Sequence, residues 1–164
     1  MFSKNERCCL MHFFFYLFLF LITFAKISIG SDLKNENIKW HDPIIKFVSN
    51  NHKVTSGYLT IENNGDRDLI LKSVFSNISE ITEIHSMIVK DDIMKMEKVI
   101  MPILIPKGKK LIFKSGGLHI MFMKLKRKLM PNDKEIVIFE FENQGKIEVL
   151  MKIKKIGLNK HHHH

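Results

Sequence analysis

The stretch from His85 to Met123 gathers two histidines and six of the chain's ten methionines. Imidazole and thioether together are donors for a soft metal ion; thioethers favour Cu(I) and offer little to Mg2+, Ca2+ or Zn2+. The donors recur two residues apart: His85 and Met87, Met94 and Met96, then His119, Met121 and Met123. Residues two apart share a face of a β-strand, so this spacing predicts strands. With Lys90-Asp91-Asp92-Ile93 as a hairpin loop, Val89 falls opposite Met94 and Met87 opposite Met96. That register puts His85, Met87, Met94 and Met96 on one side of the sheet, and a slip of two residues keeps them there. Ile84, Ile88, Leu118, Ile120 and Phe122 supply the core from the other face. The His/Met face is surplus to packing, and its donor chemistry is that of a copper site.

Packing alone accounts for any one of these residues. Methionine fills gaps in cores, and a lone histidine on an apolar strand is commonly a satisfied core residue. The set is harder to obtain that way, because two H-x-M elements and a separate M-x-M at Met94 and Met96 fall within forty residues, each in a strand-like run. The remaining candidates are weaker. His41 and His52 lie outside the cluster and read as surface residues. Asp91 and Asp92 are adjacent carboxylates in a turn, which is ordinary hairpin chemistry. No nucleophile with a base and no carboxylate pair suited to acid–base work is visible, so the expectation is a protein that is not an enzyme.

The arrangement resembles that of the PCuAC family of periplasmic copper chaperones. The family pattern is H(M), ten residues, M, about twenty-one residues, then H-x-M. Here His85 with Met87 is followed by ten residues to Met96, twenty-two to His119, and then Met121. The extra residue is assigned to the Val99-to-Pro106 connection. Gly116-Gly117 before His119, the Leu125-Lys126-Arg127-Lys128-Leu129 run, the Trp40 segment and Gly57-Tyr58-Leu59-Thr60-Ile61-Glu62-Asn63 are further likenesses, covering nearly all the chain after residue 35. Asp92 departs from the family's glycine in the hairpin and suggests a looser turn. The resemblance implies a cupredoxin-like Greek-key β-sandwich or barrel. It also implies one Cu(I) held by His85, Met96, His119 and Met121, with Met87, Met94 and Met123 as an outer ring. The implied recipient is the copper-site subunit of cytochrome c oxidase or a Sco-type thiol protein.

The elements that must position these residues read as all-β. Strand-like runs occur at 44–48, 58–63, 69–75, 81–89, 94–100, 110–113, 118–125, 135–142 and 146–153. Turn signals separate them, including Asn63-Asn64-Gly65-Asp66, Pro106-Lys107-Gly108, Ser115-Gly116-Gly117, Pro131-Asn132-Asp133 and Asn143-Gln144-Gly145. Short strands with frequent turns and no helical periodicity argue for a sandwich or small barrel. In the final hairpin, Ile136, Ile138 and one face of 147–153 are expected to complete the core. Gly116-Gly117 turns the chain sharply into the His119 strand, since glycine tolerates positive φ.

Residues 1–30 read as an export signal. Lys4 and Arg7 precede an apolar run from Leu10 to Ala25, and Ser28-Ile29-Gly30 offers small residues for cleavage before Ser31. The competing reading is an uncleaved anchor, for which a span needs about 20 apolar residues. Cys8 and Cys9 precede the apolar run, whereas a lipoprotein cysteine would follow it. Residues 31–156 then form one copper-binding domain without cysteine. That excludes disulfides, thiolate zinc and a blue-copper centre, which needs a Cys ligand. The net charge of residues 31–164 is about +7, from 23 Lys and Arg against 16 Asp and Glu. Basic clusters at 107–110, 124–128 and 152–155 lack interleaved stacking aromatics, so nucleic acid is not an expected partner. They are either a solvated surface or a surface that steers docking to an acidic partner or membrane face. Membrane contact is otherwise expected only through the signal or the recipient. The tail from 157 ends in His161–His164, which is either a native Cu(II) site or a purification-tag remnant. The overall expectation is a periplasmic Cu(I) chaperone. The alternatives are a copper storage or tolerance protein with the same site, and a metal-free β-sandwich interaction module.

Overall fold

Alternating apolar and polar residues organise ten strands, and no helix, among the described residues of the computed structural model, 37–49 and 51–155. These are β1 (Ile38–Phe47), β2 (Val54–Asn63), β3 (Leu69–Ser76), β4 (Ser79–Lys90) and β5 (Ile93–Lys98). They continue as β6 (Ile103–Ile105), β7 (Lys110–Phe113), β8 (His119–Leu125), β9 (Lys134–Phe141) and β10 (Gly145–Lys155). The expected export signal and the histidine tail lie outside the described residues. Among the described residues, no helix is long and apolar enough to cross a membrane.

Hydrogen bonding links the strands in the order β5-β4-β8-β2-β1-β10-β9-β3-β6, with β7 pairing to the second half of β2. β1 and β10 run parallel, and the other pairs are antiparallel. β3 and β4 stand six places apart in this order, about 29 Å in a flat sheet at the usual spacing. Only Asn77 and Ile78 join them. The sheet therefore curls back on itself around a single core, with β5 and β6 at the two ends of this order and β7 paired to β2 alone. The fold is all-β and cupredoxin-like.

The core is built from every second residue. β2 contributes Leu59 and Ile61, β8 Ile120 and Phe122, β4 Ile84, and β10 Val149, Met151 and Ile153. Gly57 completes the β2 row because the Phe122 ring fills the place of its side chain; an added Cβ would lie 2.9 Å from that ring. Trp40 packs on Phe139, with ring centroids 4.9 Å apart.

β9 corrects one expectation. Val137, Phe139 and Phe141 are its buried residues, whereas Ile136 is 48% exposed and Ile138 only half-buried. Both parities are apolar from 136 to 139, and the two phenylalanines carry more apolar area than the isoleucines. Glu140, in register with the isoleucines, marks the outer face. β6 also differs from expectation, because it occupies part of what reads as a loop between Val99 and Pro106.

Candidate metal centre

Strand pairing decides which donors meet. β4 and β8 pair so that Ile84 faces Ile120 in the core and His85 faces His119 on the opposite side. The imidazole centroids are 6.2 Å apart, at 48° to one another. β4 and β5 pair with Met87 opposite Met96 and Val89 opposite Met94, the register the sequence predicts. The connecting turn is tighter than expected. Lys90 pairs with Ile93, leaving only Asp91 and Asp92 between the strands, at φ values of 56° and 57°. Positive φ at both central residues is the type I′ geometry that matches strand twist.

Of the four predicted ligands, His119 and Met96 are in direct contact. Met96 reaches diagonally across β4 to bring its sulfur within 3.1 Å of His119 Nε2. The His119 ring is buried although it lies on the outer face, and its Nδ1–H donates to the Gly117 carbonyl at 2.8 Å. Gly116 makes the preceding turn with φ +74°, the conformation glycine supplies without strain. Met121, two residues along β8, lies on the same face, half-buried, and its cross-strand neighbour is Glu83.

The expected outer ring divides. Met87 is half-buried beside Met96, while Met94 is 60% exposed toward the hairpin tip. Met123 pairs with Ile81, four residues along the strand from His119 and about 13 Å away at the usual rise. His41 and His52 are exposed, and His41 is bonded to Glu62.

One site residue escapes a search for soft donors. The His85 Nε2–H donates to Glu83 Oε2 at 3.0 Å, and Lys98 Nζ donates to Oε1 at 2.6 Å. The Lys98 ammonium, and after it the His85 ring, hold the Glu83 carboxyl below its usual range. Its position was available, since Glu83 precedes His85 by two on the same strand face. A carboxylate behind a histidine is the usual outer support of a metal-binding imidazole.

His85 Nδ1 is buried and has no hydrogen-bond partner. A buried unsatisfied polar atom costs about 1–3 kcal/mol, and a metal bond would satisfy it. The contact between His119 Nε2 and the Met96 sulfur similarly brings two lone-pair donors together. Among the described residues, no three His, Cys, Asp or Glu side chains gather as a metal site. The donor set on this face is two imidazoles and thioethers, which fits a soft monovalent ion better than a hard one.

Fold and site together define a cupredoxin-like domain with a His/Met face on one flank of its sheet. The family model "LpqE-like: Putative lipoprotein LpqE-like" matches residues 38–153, and the chain belongs to that family. Its fold is that of the PCuAC domains. The copper-bound PCuAC domain from PmoF2 is similar at a TM-score of 0.59 and 17% identity, over 73% of this chain and 94% of that one. The apo PCuAC domain from PmoF1 gives a TM-score of 0.61 and 22% identity, over 73% and 95%. The Cu(I) form of DR1885 from Deinococcus radiodurans gives 0.55 and 22%, over 71% and 76%. No curated protein matches the chain.

Proposed function

We propose that this protein is an exported copper chaperone that carries one Cu(I) on His85, Met96, His119 and Met121. The observation that carries the reading is the meeting of His119 Nε2 with the Met96 sulfur at 3.1 Å, beside a second imidazole with an unsatisfied nitrogen. Copper-bound relatives of the same fold support it. Export is supported by the apolar segment near the N-terminus and by a family description of a lipoprotein.

The function is ligand exchange, not catalysis. Imidazoles give σ-donation, thioethers match the soft d10 ion, and the absence of thiolate keeps binding weak enough for release. Met96 is 49% exposed on an edge strand, so a recipient's donor can replace it first while the two histidines still hold the metal. The recipient in this reading is the copper site of cytochrome c oxidase, directly or through a Sco-type thiol protein.

The test is a competition titration against a Cu(I)-specific chromophore. The full chain would carry His161→Ala, His162→Ala, His163→Ala and His164→Ala, which removes the tail as a second site. One equivalent of Cu(I) should bind, far more tightly than Zn2+, and equal affinity for Zn2+ would sink the reading. Mixing the loaded protein with the copper-site domain of the oxidase then tests delivery. Copper retained by this chain would remove that recipient.

A further inference from the structure

The two imidazoles of the site are anchored through different nitrogens. His85 bonds Glu83 through Nε2, and His119 bonds the Gly117 carbonyl through Nδ1. An ionised carboxylate and a peptide carbonyl can only accept. In the neutral rings the proton therefore sits on Nε2 of His85 and on Nδ1 of His119. The lone pairs are left on the other two atoms. One of these, His85 Nδ1, is the buried atom without a partner. The other, His119 Nε2, faces the Met96 sulfur.

We propose that Glu83 is a positioning residue which, with the Gly117 carbonyl, holds the two histidines in opposite tautomers. A bound Cu(I) then takes His85 through Nδ1 and His119 through Nε2. The identity of the ion rests on the copper reading above, whereas the tautomers belong to the metal-free protein and stand apart from it.

The local chain geometry supports this role. Glu83 and His85 are two apart on β4 and share a face, so their side chains meet without distortion of the strand. Both carboxylate oxygens are engaged, Oε2 by His85 and Oε1 by Lys98. Lys98 is the cross-strand partner of His85 and lies two residues from Met96. β5 thus delivers a thioether to the site and, from the same face, the cation that steadies the carboxylate. Hydrogen bonding of Nε2–H to a carboxylate makes the remaining nitrogen a stronger donor. The carboxylate also places a negative charge beside a cation whose proposed ligands are all neutral.

Long-range 1H–15N NMR of the full chain reads the tautomers directly, in the wild type and in Glu83→Gln, without metal and with Cu(I) alone as the probe. The metal-free wild type should show His85 protonated at Nε2 and His119 at Nδ1. Added Cu(I) should shift His85 Nδ1 and His119 Nε2. Glutamine can donate as well as accept, so in Glu83→Gln the His85 ring should become a tautomer mixture while His119 stays as it is. Cu(I) affinity should fall about tenfold, as for other outer-support changes. His85 protonated at Nδ1 in the wild type, or an unchanged His85 tautomer in Glu83→Gln, would overturn the proposal. Should the variant not fold, the wild-type spectra still decide. Opposite tautomers without Cu(I) binding would uphold the role of Glu83 and remove the copper reading. Cu(I) bound through His85 Nε2 would do the reverse.

Discussion

Ile120 and Met121 are neighbours on β8 that face opposite sides of the sheet, so their substitutions should separate stability from metal binding. Ile120 is fully buried, and Ile120→Ala should cost about 2–5 kcal/mol, read from urea unfolding of the metal-free protein. Met121→Ile keeps apolar volume on a half-buried outer position. It should leave that unfolding curve in place while Cu(I) affinity falls about tenfold or more. A Met121→Ile protein that cannot be recovered folded would show that the face is assigned wrongly. The histidines make a second test possible. Protons compete with Cu(I) for imidazole nitrogens, whereas thioethers do not titrate. Apparent Cu(I) affinity should therefore fall as the pH is lowered. His85→Met should give a shallower slope, and equal slopes would place His85 outside the ligand set. The soft donors were legible in the sequence because their period of two is the period of a strand. Glu83 was not, since a carboxylate two before a histidine has no meaning until Lys98 and an orphaned Nδ1 appear around it.

At the level of elements, the β4–β5 hairpin shows both what alternation can specify and what it cannot. Its register follows from the sequence, because a one-residue slip of β5 against β4 would carry Met94 and Met96 to the face opposite Met87 and His85. Its turn does not follow, since Asp-Asp carries no glycine to announce positive φ. Both aspartates nonetheless adopt left-handed φ, at a cost of roughly 1–2 kcal/mol each for an L-residue, less where an Asp side chain bonds locally. Asp92→Gly should remove that strain and raise stability by about 1 kcal/mol, net of glycine's greater chain entropy. Chemical denaturation of the metal-free protein would measure it, and a destabilised variant would mean that the Asp92 side chain supports the turn. β6 was hidden for a different reason. Pro102 and Pro106 flank its three residues, and proline argues against a central strand but is tolerated beside an edge. In β9 the ambiguity was one of parity, because isoleucines and phenylalanines alternate and only the folded sheet shows which row turns inward.

Across the whole molecule, the proposed donors are unequally secured. His85, His119 and Met121 stand on β4 and β8, whose other faces enter the core through Ile84, Ile120 and Phe122. Met96 stands on β5, an edge strand paired only to β4 and exposed at all six residues. Segments with few buried contacts open locally at low free energy, while core strands exchange their amides only through larger openings. β5 should therefore be the first part of the site to open in the metal-free protein. A Cu(I) ion bound to Met96 and His119 would tie this edge to β8 across β4, and opening would then require breaking a metal bond. Hydrogen exchange of the β5 amides should slow on Cu(I) loading by more than that of β9 and β10, which are remote from the site in strand order. Met96→Ala should abolish the added protection of β5 while leaving exchange in β9 and β10 unchanged. Protection that spreads evenly over all strands would indicate global stabilisation by mass action, and the hairpin would then not be the gate through which copper is exchanged.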